Sequence, residues 1–270
     1  MTRDTDQKAL SLFARELQAA RSRAGLSLEQ FASEISYSRS LVGHVETCRR
    51  VPSLDFAKRC DQVLRTTGTF ERMQQVLRTA MFPAWFRPFV EYEARASALR
   101  GFEHVLVPGL LQTPDYARAV LAMRPNSTEE QIDELVTARL ERQVILDRDQ
   151  PPLLWLVLDE AVVQRDIGGS KVMHDQLLHL ATMTERPGVT IQIIPRTAGG
   201  HIGLLGAFVI AEFPDAAAIA YLETVAGGQI TEESSAVAGV ALTFDTLRSE
   251  ALPRRASRDL IMRVAEERWT

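Results

Sequence analysis

The chain has 270 residues, 46% of them hydrophobic and 24% charged, with a formal net charge of −4 and only two cysteines. That length favours two domains, and the composition is ordinary for a globular protein. No run of about 18 apolar residues marks a membrane span, and Cys48 and Cys60, without C-x-x-C spacing or a nearby His pair, argue against a zinc site or a disulfide framework.

The opening MTRDTDQKAL lacks the apolar core of a signal peptide, so a cytoplasmic location is expected. The charge is unevenly spread. Residues 1–80 carry 13 Lys+Arg against 9 Asp+Glu, a net +4, while residues 81–270 carry 18 against 26, a net −8. A basic head on an acidic body is the electrostatic footprint of a nucleic-acid reader.

In chain order, residues 9–24 are predicted as a first helix with Leu10, Phe13, Leu17 and Ala24 inward and Arg15, Arg21 and Arg23 outward. Gly25 stops it. Ser27 and Gln30 form an S-x-x-Q capping box for a second helix, whose buried face is Leu28, Phe31, Ala32 and Ile35. After a break at Ser36-Tyr37, Ser38 caps a third helix that buries Val42 and Val45, with Leu41 at the margin. Its opposite side presents Ser40, Gly43, His44 and Thr47, flanked by Arg39. Small, polar and cationic side chains on one face suit entry into a DNA major groove, and Arg49 and Arg50 follow where the sugar-phosphate backbone would lie. Ser53 to Leu64 and Thr69 to Thr79 complete five helices.

The spacing Ala32-x3-Ser36-x5-Val42 and the run Val45-Glu46, Arg50, Pro52-Ser53 resemble the helix-turn-helix of Cro-type (XRE family) bacterial regulators. Ser36 and Cys48 stand where that pattern has glycine, at positions that often favour positive φ. The resemblance implies a double-stranded DNA-binding head, with helix 38–47 as the recognition helix. Its reading residues are then Ser38, Arg39, Ser40, Gly43, His44 and Thr47, and Ser27, Arg49 and Arg50 hold phosphates. One short helix reads few bases, so a homodimer is expected.

A boundary is placed near residue 81, giving domains 1–80 and 81–270. Phe89 to Gly101 reads as a helix, Glu103 to Val107 as an extended run, and Pro114–Met123 and Thr128–Asp147 as helices. Leu153–Leu158, Val189–Ile194, Ala207–Phe213 and Ala218–Glu223 read as strands, and Ser170–Glu185, Glu232–Glu250 and Ser257–Arg268 as helices. The expected fold is an all-α five-helix head followed by an α+β domain with a mostly antiparallel late sheet.

The run Val107-Pro-Gly-Leu-Leu-Gln-Thr113, together with Tyr116, Arg139-x-x-Arg142-Gln143, Leu158-Asp-Glu-Ala161, Gly168-Gly169 and Gln176-Leu177, is similar to an uncharacterised C-terminal domain fused to Cro-type heads in actinobacterial regulators. Such proteins resemble the transcriptional regulators of Streptomyces development, described as antitoxin-like and often encoded beside a small partner protein. The likeness implies a DNA-binding transcriptional regulator whose second domain binds something, dimerises, or both; the alternatives are an antitoxin-like protein whose main role is binding a small partner protein, or a metabolite-sensing regulator.

No catalytic residue, metal site or cofactor is expected. His174 and His179 are five apart and do not share a helix face, and Ser170 lacks a G-x-S-x-G context. Asp159-Glu160 beside a strand end and the Gly199–Gly206 loop are the nearest approach to an active-site arrangement. A ligand pocket, if present, is expected at that loop and at Tyr221-Leu-Glu223.

Overall fold

The computed structural model describes residues 2–80, 82–224 and 227–270. The chain divides into two compact units, residues 1–87 and 88–270. The expected boundary at residue 81 lies outside the described residues.

The first unit is built from α1 (Thr2–Arg23), α2 (Leu28–Glu34), α3 (Arg39–Glu46), α4 (Leu54–Val63) and α5 (Thr69–Ala80). Its core joins Phe13 and Leu17 of α1, Phe31 and Ala32 of α2 with Ile35 just beyond it, Val42 and Val45 of α3, Phe56, Ala57 and Cys60 of α4, and Phe70 and Leu77 of α5. Ala24, expected inside, is exposed because α1 has already ended at Arg23 and Gly25 turns the chain at φ +70°. Phe56 and Cys60, rather than Leu54 and Leu64, carry the deepest packing of α4.

Four consecutive helices of this unit end on a left-handed residue: Gly25, Ser36 (φ +58°), Cys48 (φ +57°) and Arg65 (φ +52°). After α2, the Ser36 N–H donates to Ser33 O and the Tyr37 N–H to Ala32 O, and after α3 the Cys48 N–H donates to Val45 O and the Arg49 N–H to His44 O. Both are Schellman closures, which satisfy carbonyls that the helix end leaves bare.

Asp61 of α4 is buried and accepts from the N–H groups of Phe70 (3.0 Å) and Glu71 (2.8 Å) and from the Thr66 hydroxyl. A carboxylate at a helix N-terminus meets both free donors and the positive end of the dipole. Asp61→Ala is expected to lower the unfolding free energy of this unit by about 2 kcal/mol, read as a shift of the denaturant midpoint.

The second unit takes up α6 (Arg87–Arg95) from its second residue, and β1 (Ala98–Glu103) follows. The helix expected over Phe89–Gly101 holds only to Arg95: residues 98–103 form a strand, and residues 104–107, expected as extended, lie in the bend that follows it. The physical reason is pairing with distant partners, Leu153–Leu158 on one side and Phe208–Glu212 on the other, and at Gly101 the sheet leaves a Cβ only 3.0 Å from Leu156 Cδ2. Next come α7 (Pro114–Ala122), α8 (Glu129–Gln143) with a 3-10 turn to Asp147, β2 (Leu153–Asp159), α9 (Ala161–Gln164), α10 (Ser170–Met183), β3 (Val189–Ile194), β4 (Phe208–Glu212), β5 (Ile219–Thr224), β6 (Gly227–Thr231), α11 (Ser234–Glu250) and α12 (Arg254–Arg268).

The six strands form one mixed sheet in the order β3-β2-β1-β4-β5-β6. β1, β2 and β3 are parallel, and β1-β4, β4-β5 and β5-β6 are antiparallel. The sheet is thus antiparallel in its late half, as expected, with an early parallel half that the separate strand assignments did not reveal. α9 and the Gly-Gly-led β6 were not anticipated.

Phe102, Val157, Phe208, Ile210 and Ala220 share the face beneath Val237, Phe244 and Leu247 of α11. On the opposite parity Leu99, Leu154, Leu156, Leu158, Ile191 and Ile193 are buried too, so the parallel strands read as nearly continuous apolar runs. β3's free edge is occupied by the chain itself: the Leu252 N–H donates to Ile193 O, and the Ile193 N–H donates to Ser257 Oγ.

Candidate functional site

Two places concentrate polar groups that the core does not need: the outer face of α3, and the region where β1 and β2 end.

α3 is held from behind. Val42 and Val45 are fully buried, each contributing about 1.5 kcal/mol. Glu46 accepts two bonds from the Arg21 guanidinium at 2.7 and 2.9 Å, and Arg21 also donates to Leu26 O at 2.8 Å. Arg21, expected to point outward, instead turns in, and the pair is nearly buried. The bond to Glu46 raises the Arg21 pKa further above its ordinary value.

At about 100° per residue, Ser40, Gly43, His44 and Thr47 fall within roughly 100° of arc opposite the two valines. Ser38, Arg39, Ser40, His44, Thr47, Arg49 and Arg50 are exposed, and Gly43 is half-buried. Some of their groups are already engaged. Ser38 Oγ accepts from the Leu41 N–H at 3.2 Å, and the Thr47 hydroxyl donates back to Gly43 O at 2.7 Å. Ser27 lies at the start of α2, where its hydroxyl accepts from the Gln30 N–H and its own N–H donates to Gln30 Oε1. Arg39, Arg49 and Arg50 form no ion pair among the described residues. A Cβ on Gly43 would meet only Leu28 Cδ2, at an ordinary 3.7 Å, so packing does not demand a glycine there.

Cys48 is half-buried at its left-handed turn, and Cys60 is fully buried, where desolvation pushes its thiol pKa far up. A thiol held protonated is a poor nucleophile.

In the second unit the VPGLLQT run is bolted down on every side. The Val107 N–H donates to the Tyr116 hydroxyl at 3.2 Å. Gln112 Nε2 donates to Val107 O at 2.7 Å, and Gln112 Oε1 accepts from Arg139 Nη1 at 2.6 Å. Gln143 donates to Gly109 O and Gln112 O, and Gln176 donates to Leu111 O and accepts from the Thr113 N–H. Arg142, paired with Glu93 at 3.2 Å, lies where a Cβ on Gly109 would be.

The Asp159-Glu160 pair is spent on structure. Asp159 accepts from the Ala161 N–H at 2.6 Å and pairs with His201 Nε2 at 2.9 Å, and Glu160 accepts from the Arg196 N–H and from Gln164. His201, almost wholly buried and edge-on to Phe102 at 5.7 Å, pins the Gly199–Gly206 loop over the ends of β1 and β2. His174 bonds to Ala265 O at 3.1 Å. Among the described residues no group of three His, Cys, Asp or Glu side chains is placed to hold a metal ion.

Close to that end, burial beside Glu223 raises the Glu103 carboxyl from its ordinary 4.5 to about 8, and burial beside Arg142 and Arg124 lowers Arg139 to about 10. Sequence reasoning missed Glu103, because a glutamate at a strand end shows nothing of its burial.

Residues 86–263 match the model of a domain of unknown function, DUF5753. The chain belongs to that family. Residues 12–72 match a helix-turn-helix domain, a match that supports a DNA-binding regulator and spans α2, α3 and the helices packed behind them. No curated protein and no solved structure matches the chain. No helix among the described residues is long and apolar enough to cross a membrane.

Two measurements check this geometry. Cys48→Gly relieves a left-handed side chain and should leave stability unchanged or raise it by about 0.5 kcal/mol, whereas the β-branched Cys48→Val should cost about 1–2 kcal/mol. For Glu103, the folded pKa lies above the unfolded one, so the folded state holds the extra proton and stability falls as pH rises from about 4.5 to about 8. Glu103→Gln should flatten that slope and add on the order of 2 kcal/mol at pH 9, read from denaturant midpoints across pH.

Proposed function

We propose that the chain is a sequence-specific transcriptional regulator of the Cro-type (XRE) kind, from an actinobacterium, that acts as a homodimer on double-stranded DNA. α3 enters the major groove with Ser38, Arg39, Ser40, Gly43, His44 and Thr47 toward the bases. The N-terminus of α2 at Ser27, with Arg49 and Arg50, holds flanking phosphates. The observation that carries this reading is the exposed polar face, with Arg39 and His44 on it, of a helix whose other side is fixed by Val42, Val45 and the Arg21–Glu46 pair. A rigid helix with free donors on one side is the form that groove readout requires.

Ser27 serves through its helix end rather than its own groups, since both are engaged in the capping box. The first N–H groups of α2, at Leu28 and Glu29, are the donors an intact helix leaves available. Ser38 keeps its hydroxyl proton to donate. The second unit supplies control, through a small partner protein or a ligand.

Fluorescence anisotropy with a duplex from the chain's own promoter, against a scrambled duplex and over a salt series, tests the roles. Arg39→Ala should lower affinity for the cognate duplex roughly tenfold or more and leave scrambled binding nearly unchanged, while Arg50→Ala should weaken both and reduce the salt slope by about 1. Equal losses on both duplexes for Arg39→Ala contradict the assignment. Gly43→Ala should stabilise the helix by up to about 1 kcal/mol yet weaken cognate binding, because close approach is lost.

A further inference from the structure

A recess of about 340 Å³ opens on the second unit between the sheet and the last turns of α11. Trp155 and Val157 of β2, Thr190 and Gln192 of β3, and Phe244 and Arg248 of α11 line it. The register explains the floor. Trp155 pairs with Thr190 and Val157 with Gln192, so these side chains stand in adjacent rows on one face of the sheet. Phe244 and Arg248, four residues apart, share the side of α11 that bounds the same space. The volume is at the small end of the range for ligand pockets, roughly 300–1,000 Å³. None of these residues belongs to the Gly199–Gly206 loop or to Tyr221–Glu223, where the sequence suggested a pocket.

The lining sets the chemistry of an occupant. Trp155, partly exposed, offers an indole surface, and neither its N–H nor the Thr190 hydroxyl has a hydrogen-bond partner among the described residues. Gln192 Nε2 is spent on Leu252 O at 2.9 Å, which leaves its side-chain oxygen as an acceptor. Arg248 is exposed and forms no ion pair among the described residues, although residues 81–270 hold 26 Asp+Glu against 18 Lys+Arg. The other arginine beside this space is accounted for: Arg100 pairs with Glu212 at 2.6 Å and lies over the Phe244 ring at 5.6 Å. A cation would meet Arg248 unfavourably, and a bare inorganic anion would leave the indole unused. A flat ring fills that wall by stacking, and a carboxylate answers the guanidinium. At the ~30 Å³ that each water takes in the liquid, the recess holds about a dozen non-hydrogen atoms, the size of one or two fused rings.

We infer that this recess binds a small planar aromatic carboxylate, its ring against the Trp155 indole and its carboxylate on Arg248, with Thr190 and Gln192 orienting it from the floor. The inference rests on the proposed function for its purpose, the control of DNA binding by a ligand, while the site stands on the second unit alone.

Calorimetry and nuclear magnetic resonance of the full chain, isotope-labelled at its indole nitrogens and with naphthoate as probe, test it. Naphthoate should bind with a dissociation constant below about 1 mM. It should move the indole signal of Trp155, assigned with Trp155→Phe, and leave those of Trp85 and Trp269 in place. Naphthamide, the same ring without the charge, should bind about tenfold more weakly, and Arg248→Gln should bring naphthoate down to the level of the amide. Cyclohexanecarboxylate, which keeps the charge and loses the flat ring, should also bind more weakly than naphthoate. No binding of naphthoate, a Trp155 signal that stays in place, equal affinity for acid and amide, or full affinity in Arg248→Gln would overturn the proposal. DNA binding is measured separately, without any acid. A chain that binds DNA but no naphthoate loses this site and keeps its reader, whereas one that binds naphthoate at Trp155 but no DNA keeps the site and loses the regulator.

Discussion

The Arg21–Glu46 ion pair is the constraint on which the head depends. It ties the last turn of α1 to the last residue of α3, with a third bond from Arg21 to Leu26 O between helices. A nearly buried pair contributes little net stability relative to an apolar substitute, yet removing one partner strands the other at a cost of about 3–5 kcal/mol. Its value lies in fixing one arrangement. With Val42 and Val45 beneath it, α3 has a single position and a single rotation about its axis. The polar face therefore points outward because everything opposite to it is spoken for.

The turns before and after α3 add to the same rigidity. Ser36 and Cys48 hold left-handed backbone without the freedom of glycine, at a local cost that the Schellman hydrogen bonds and the Ser38 cap offset. Asp61 does similar work further along, joining α4 to the start of α5. In the second unit the corresponding devices are amides rather than charges. Gln112, Gln143 and Gln176 satisfy the backbone of the VPGLLQT run, which packs tightly and has no regular ladder of its own.

Much of the head could be read from the sequence because its signals are local. The capping box at Ser27 and Gln30 and the inward Val42 and Val45 depend on residues within one or two turns, while the glycine-like positions at Ser36 and Cys48 came from the likeness to the Cro-type pattern. Arg21 could not be placed, since its partner is 25 residues away and an arginine at a helix end reads as solvated. In the second unit, the strand at Ala98–Glu103 was mistaken for helix because its neighbours across the sheet, Leu153–Leu158 and Phe208–Glu212, lie far off in sequence. The same distance hid the parallel pairing of β1 with β2. Gly101, which reads as a helix stop, is a contact requirement at the sheet centre. The motif residues of this unit were legible as a family likeness, but their structural job became visible only once Arg139, Gln143 and Gln176 were seen to converge on one segment. Asp159 and His201, 42 residues apart, likewise show as a loop latch only in three dimensions.

The central claim is that the outer face of α3 meets DNA. Amide hydrogen exchange on the full chain, free and bound to a duplex from its own promoter, tests this most directly. The account predicts new protection concentrated at residues 27–30 and 38–50, with the α4–α5 junction at Asp61 to Glu71 unchanged. Binding that leaves residues 38–50 unprotected, or that protects a different surface of the head, would contradict it.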